Sequence, residues 1–221
     1  MRLAIMQPYF IPYAGYFRLF CAADLFVIYD CVQFARRGYV HRNQLPNTKG
    51  ELSWLTLPLA KAPQDIKISD LAFSPDASAR MQEQLLKFPL FVRDNFSGST
   101  LRASLDDFST SPTEYIVHSL RQIAEALQLP FKIAYSSELK LPQELKNEER
   151  IIAIAKHFNA SEYVNSPGGK DLYDAVNFKK NNINLKFLTD YKGAYQSILQ
   201  RLFTENSDDL RHEIISQCEV D

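Results

Sequence analysis

Asp30 closes the apolar run Leu25 to Tyr29 and is followed at once by Cys31; Gln33, Arg36, Arg37, His41, Arg42 and Asn43 then crowd into eleven positions. A carboxylate at the end of a strand can act as a general base or hold a hydroxyl or an amine, and its plain alternative is a turn aspartate. Cys31 with His41 ten residues on could be a thiol nucleophile and its base, although a free cysteine is more often a small buried apolar residue. Arg36, Arg37, Arg42 and Lys49 make the segment basic and suit it to a phosphate or carboxylate, unless they form a solvated face. A second constellation is YVNSPGG at 163–169. Asn165 and Ser166 can donate to sugar or phosphate oxygens, and Gly168 and Gly169 allow close backbone approach; a tight turn between strand and helix would use the same residues. A third is Gln7 with Tyr9, Tyr13 and Tyr16 around two prolines, whose rings suit a cleft wall or a core.

Other chemistries find no support in the sequence. The glycines of NSPGG lack the spacing of a dinucleotide fingerprint, and no GK[ST] follows them. His118, His157 and His212 stand alone, and no His, Cys, Asp or Glu grouping has metal spacing, so no metal and no cofactor are expected. Three cysteines, Cys21, Cys31 and Cys218, form no CxxC pair, and the odd number argues against a disulfide framework. With a net charge of −1 the chain has no basic field for nucleic acid. No apolar run is long enough to span a membrane and no secretory leader is recognisable, so a cytoplasmic location is expected.

The elements that must position these residues follow from periodicity. Leu3 to Met6 and Leu25 to Tyr29 read as buried strands, and Pro8 and Pro12 bar a regular helix through the loop between them. Gly15 to Phe20 supplies the first helical turns. Gly38 to Gln44 and Leu52 to Pro58 read as a hairpin turning at Pro46, Asn47 and Gly50, and Ile66 to Leu71 as a further strand. From Asp76 the period is helical. Helices are expected with Met81, Leu85, Leu86 and Phe88 on one face, over Thr100 to Phe108, and after Ser111-Pro112-Thr113-Glu114, which has the form of a capping box with proline at its first position. Phe131 to Tyr135, Glu162 to Val164 and Ile183 to Leu188 read as strands, and Asn147 to His157 and Asp171 to Phe178 as helices. Ile198, Leu202 and Phe203 are expected to be buried. Together these predict an α/β fold, a mixed β-sheet with flanking helices and an N-terminal β-hairpin extension, in a single domain 1–221 with a largely helical middle section at about 76–128.

In order along the chain, MQPYFIPYAGYF, DLFVIYDCVQF, RRGYVHRNQL, WLTLPL, YSSEL, YVNSPGGKDLYD and the late Tyr195-Gln196 resemble the WbqC-like protein family. The resemblance carries over Gln7, Tyr9, Tyr13, Gly15, Asp30, Gln33, Arg42, Asn43, Asn165, Ser166, Gly168 and Gly169. Members of that family typically occur with genes for bacterial O-antigen and related lipopolysaccharide glycans. It therefore implies a transferase acting on a nucleotide-linked sugar, forming an amide on an amino sugar from an acyl or aminoacyl donor such as a thioester. On that reading Asp30 deprotonates the attacking amine with His41 as the alternative base, and Arg37 and Arg42 hold a diphosphate. Tyr9 and Tyr13 stack on base or sugar, and Asn43, Asn165 and Ser166 bind hydroxyls. Two rivals stand beside it: a non-catalytic sugar-nucleotide-binding partner of a glycan assembly complex, and a cysteine-dependent acyltransferase through Cys31. The chain departs from the family where Cys31 stands in place of a second acidic residue, and in its C-terminal NSDDLRHEII.

Overall fold

The structure, a computed structural model, describes residues 1–92 and 99–221. Its strands are β1 (Arg2–Met6), β2 (Leu25–Ile28), β3 (Arg42–Pro46), β4 (Leu52–Thr56), β5 (Ile133–Tyr135), β6 (Glu162–Asn165) and β7 (Asn184–Phe187). Five of them form one sheet in the order β5-β2-β1-β6-β7, with every pairing parallel, and β3 pairs with β4 as a separate antiparallel hairpin. The α/β class, the flanking helices and the hairpin are as expected, and the antiparallel pairing of named strands is confined to the hairpin.

Parallel strands need crossover connections, which cover both faces of the sheet and favour continuous apolar runs over alternation. β2 shows this directly. Phe26 and Ile28 join Phe10, Phe17 and Phe20 in one core, with Ile116, Leu120 and Ile123 packed among them, while Leu25 and Val27 join Leu3, Ile5, Ile151 and Ile154 in another. The helices are α1 (Arg18–Ala22), α2 (Ala77–Leu85), α3 (Thr100–Leu105), α4 (Pro112–Ala126), α5 (Asn147–His157), α6 (Ala175–Lys180), α7 (Ile198–Leu202) and α8 (Ser207–Ser216). Ser111 caps α4 by accepting from the Glu114 amide at 3.2 Å. The Glu114 carboxylate does not complete the capping box; it accepts instead from the Tyr135 hydroxyl at 3.1 Å and so ties α4 to β5. Leu86, expected on the buried face with Met81 and Leu85, is exposed.

Several boundaries differ for local reasons. Ile66 to Leu71 is not a strand: Ile68–Asp70 forms a 3-10 turn, and Ser69 donates to the Asp70 carboxylate at 3.0 Å, the local bonding by which Ser and Asp compete with a ladder. The hairpin begins at Arg42 because Gly38 donates back to the Ala35 carbonyl in a turn. After β6, Pro167–Leu172 is a 3-10 segment, and α6 starts only where the Asp174 side chain accepts from the Val176 amide. No helix among the described residues is long and apolar enough to cross a membrane.

One consequence of the strand order matters for function. From β1 the chain moves outward through β2 to β5, then returns across β1 to β6 and continues outward to β7. The reversal lies between β1 and β6, and in open α/β sheets ligands bind at the carboxyl ends of the strands at such a point.

Candidate functional site

A cavity of about 810 Å³ lies at the carboxyl ends of β1 and β2, within the size range of small-molecule sites. Gln7 enters it from just beyond β1, Tyr29, Cys31 and Gln33 from beyond β2, Lys146, Asn147 and Arg150 from the start of α5, and Asp171 and Tyr173 from the segment after β6. That last segment is tied to α5, because the Glu148 carboxylate accepts from the Asp174 amide at 2.6 Å and from the Asn177 side chain at 2.7 Å. Burial pushes the phenols of Tyr29 and Tyr173 up, so both stay protonated donors at neutral pH.

Cys31 and Arg150 form the polar centre of this wall. The Arg150 guanidinium donates to Cys31 Sγ at 3.5 Å, to the Leu145 carbonyl at 2.8 Å and to the Gln143 carbonyl at 3.0 Å. Asp30, next to Cys31, is only 2% exposed and does not line the cavity. Its Oδ1 accepts from Ser136 Oγ at 2.9 Å and the Ser137 amide at 2.8 Å, and its Oδ2 accepts from Ser137 Oγ at 2.6 Å. Ser136 Oγ in turn accepts from the amides of Asp30 and Cys31, which uses both its lone pairs and its proton. Asp30 thereby clamps the ends of β2 and β5 together and fixes the backbone that carries Cys31.

The hairpin residues are placed differently. Asn43 is buried, and its amide donates to the carbonyls of Phe10 and Ile11 at 3.3 and 2.7 Å. Ser197 Oγ also donates to the Ile11 carbonyl, at 2.8 Å. Two donors therefore hold Ile11 at φ 41°, a left-handed conformation that a β-branched side chain resists. Arg42 donates to the carbonyls of Arg37 and Gly38 and lies over the Trp54 ring at 4.2 Å. Arg36 donates to the carbonyls of Ala62 and Pro63. Arg37 is exposed and lines a separate cavity of about 470 Å³ with Gln33 and Gln64. Tyr9 packs against Tyr16 and Tyr39, and Tyr13 stacks on Tyr195 at 4.9 Å. Gly15 lies so close to the rings of Tyr13 and Tyr191 that a Cβ there would press into both.

His41 lines none of these cavities. Its ring meets Phe34 edge-on at 4.9 Å, and its Nδ1 is buried without a hydrogen-bond partner among the described residues. Burial first, then the charges of Arg42 and Arg36, lower its pKa from 6.5 to about 4. A group whose folded pKa is depressed favours the folded state above its unfolded pKa and loses that contribution as pH falls through the folded pKa. The expected outcome is that wild type loses stability relative to His41→Gln as pH falls from 6.5 toward 4, measured by urea denaturation at stepped pH. Equal slopes for both proteins over that window would refute it.

In the NSPGG segment, Asn165 Oδ1 accepts from the Ser166 amide at 2.8 Å, and Gly169 packs against the Asn165 amide where any Cβ would collide. Gly168 is exposed. Of the residues singled out in the sequence, the structure brings Gln7, Cys31 and Gln33 into the main cavity wall, and it leaves Tyr9, Tyr13, Arg37, His41, Arg42, Asn43, Asn165, Ser166, Gly168 and Gly169 outside it. Sequence reasoning missed Tyr29, Arg150, Asp171 and Tyr173. The signal for Tyr173 was present in YVNSPGGKDLYD, whereas Arg150 sits in NEER and looks like any charged first turn.

The chain is 26% identical over 202 residues to an uncharacterized protein of Mycobacterium tuberculosis, an alignment spanning 87% of this chain and 83% of that protein. No solved structure matches it. The model of the WbqC-like protein family matches residues 7–206, a span that contains every residue lining the main cavity. The chain belongs to the WbqC-like protein family.

Proposed function

We propose that the chain is a transferase of surface-glycan biosynthesis of the O-antigen type, which joins an acyl or aminoacyl group to the amine of a nucleotide-linked amino sugar at the main cavity. The observation that carries this reading is the position of Cys31: its Sγ stands in the cavity wall just beyond the carboxyl end of β2, with the Arg150 guanidinium 3.5 Å away. The Cys31 sulfur attacks the carbonyl of a thioester donor; a new C–S bond forms, the donor's C–S bond breaks, and the donor thiol leaves with the proton. The sugar amine then attacks the Cys31 thioester, the C–N bond forms, the Cys31 C–S bond breaks, and the amine's proton returns to the Cys31 sulfur. Arg150 places a fixed positive charge where negative charge develops. Gln7, Gln33, Tyr29 and Tyr173 offer donors and acceptors to the sugar, and the Asp171 carboxylate takes the proton that the sugar's ammonium loses before its nitrogen attacks. Asp30, with both oxygens committed to Ser136 and Ser137, acts as a positioning residue for Cys31.

The test supplies a nucleotide-linked amino sugar and an acyl thioester. Intact-mass spectrometry is expected to show one acyl group on Cys31, and Cys31→Ser is expected to lower product formation by about a hundredfold or more, as loss of a nucleophile does. Full activity of Cys31→Ser would overturn the mechanism. The commitment of Asp30 and the absence of His41 from the cavity also favour a second reading, a non-catalytic sugar-nucleotide-binding partner of a glycan assembly complex. Binding of the sugar nucleotide that Cys31→Ser leaves intact, with no turnover by wild type, selects that reading.

A further inference from the structure

A smaller cavity of about 400 Å³ adjoins the main one and shares Cys31 and Arg150 with it. Its other walls include Lys67, Ser69, Ser137 and Lys140. Three cations thus converge on it, and Asp70 is the carboxylate in its lining, already accepting from Ser69 Oγ at 3.0 Å. Lys67 and Lys140 are exposed, and neither forms an ion pair among the described residues. The side-chain contacts of Arg150 are to carbonyl oxygens and the Cys31 sulfur, none of which neutralises its charge. In a chain of net charge −1, this is a local excess of positive charge beside a proposed reaction centre.

We infer that Lys67, Lys140 and Arg150 form an anion subsite that holds the phosphate groups, a diphosphate in particular, of a ligand reacting at Cys31. The inference rests on the proposed function for its choice of reaction centre. A single carboxylate would satisfy one of three cations, whereas a diphosphate presents several charged oxygens that two mobile ammonium groups and one planar guanidinium can meet together. Two substrates of the proposed reaction carry such a group: the nucleotide-linked sugar, and a thioester donor on a phosphorylated carrier. The chemistry of recognition is the same for both.

Isothermal titration with inorganic diphosphate, UDP and coenzyme A tests this on three proteins: wild type, Lys67→Glu/Lys140→Glu, and the exposed control Lys179→Glu/Lys180→Glu. Wild type is expected to bind inorganic diphosphate with an affinity that falls as salt rises. The Lys67/Lys140 variant is expected to weaken that binding at least about tenfold and the control to leave it unchanged, with melting temperatures confirming that all three fold. Weakening of UDP binding identifies the sugar nucleotide as the source of the phosphates, and weakening of coenzyme A binding identifies the acyl donor. No binding by wild type, or equal weakening in both variants, overturns the subsite. The two proposals fail separately. Product formation with unchanged KM for both substrates in Lys67→Glu/Lys140→Glu removes the subsite and leaves the transferase, whereas diphosphate binding that obeys these expectations without any acyl transfer by wild type removes the transferase and leaves the subsite.

Discussion

Asp30→Ala is expected to lower the melting temperature by about 10 °C, and to do so as a structural lesion rather than as simple loss of a base. The carboxylate is 2% exposed and receives three hydrogen bonds from Ser136 and Ser137. Its removal leaves the Ser137 amide and two hydroxyls to find other partners between the ends of β2 and β5. A hydrogen bond to a charged group contributes about 1.5–3 kcal/mol, and a buried polar group left unpaired costs about 1–3 kcal/mol. In a domain of this size each kcal/mol moves the midpoint by roughly 2–4 °C. Asp30→Asn keeps one acceptor but turns an NH₂ toward a donor, so it should fall between wild type and Asp30→Ala. Assayed well below its own midpoint, Asp30→Asn separates two roles. A positioning residue predicts that it forms acyl-Cys31 at a reduced rate, while a general base for the amine predicts normal acylation of Cys31 and a block in transfer to the sugar. A melting temperature unchanged in Asp30→Ala would refute the clamp altogether.

The clamp also shows what could be read in the sequence and what could not. Ser111-Pro112 and the span Asn147 to His157 were legible because caps and apolar stripes are local, written within a few residues of what they govern. The apolar run of β2 was legible because burial on both faces leaves a continuous signature. Asp30 was legible as an unusual residue but not as a clamp, since its partners lie 106 and 107 positions away. The partners of the basic stretch are hidden for a related reason. Composition shows that a guanidinium needs acceptors, but not whether these are phosphate oxygens or the chain's own carbonyls, and for Arg36 and Arg42 they are carbonyls. Asn43 is the same case, its amide spent on Phe10 and Ile11. Arg150 is the converse: an unremarkable charge in NEER comes to rest beside Cys31 because α5 packs on the sheet face that carries Leu25 and Val27 of β2. At Ile66 to Leu71, alternation suggested a strand, yet local bonding by Ser69 and Asp70 prevailed.

Arg201→Met is expected to destabilise the chain by about 2–3 kcal/mol, the scale of lost hydrogen bonds to charged groups, since the carboxylates it strands, Glu205 and Glu213, are 36% and 26% exposed. Arg201 is 4% exposed and meets two carboxylates. Nε and Nη2 donate to Glu205 at 2.8 and 2.7 Å, and Nη1 and Nη2 donate to Glu213 at 2.8 and 2.7 Å. The Tyr191 hydroxyl joins by donating to Glu213 and accepting from Nη1. The effect should reach beyond the C-terminal helices, because Tyr191 packs on Tyr13 and Ser197 holds the strained Ile11 carbonyl. Loosening of the tyrosine-proline loop should appear as faster hydrogen exchange at the Ile198 amide, which donates to the Pro12 carbonyl. Replacing the cluster with apolar groups tests whether the loss comes from stranded carboxylates: Arg201→Met/Glu213→Leu should recover part of the stability that Arg201→Met loses. The pH dependence gives an independent check. Hydrogen bonds from Arg201, assisted by Tyr191, hold the Glu213 carboxyl below its ordinary value of 4.5. A depressed folded pKa favours the folded state above the unfolded pKa and ceases to do so as pH falls through the folded value. The gap between wild type and Arg201→Met should therefore be full at neutral pH and shrink below 4.5, as measured by denaturant midpoints at stepped pH. A gap that stays constant down to pH of about 3 would mean that Arg201 acts through packing of its stem and not through its charge.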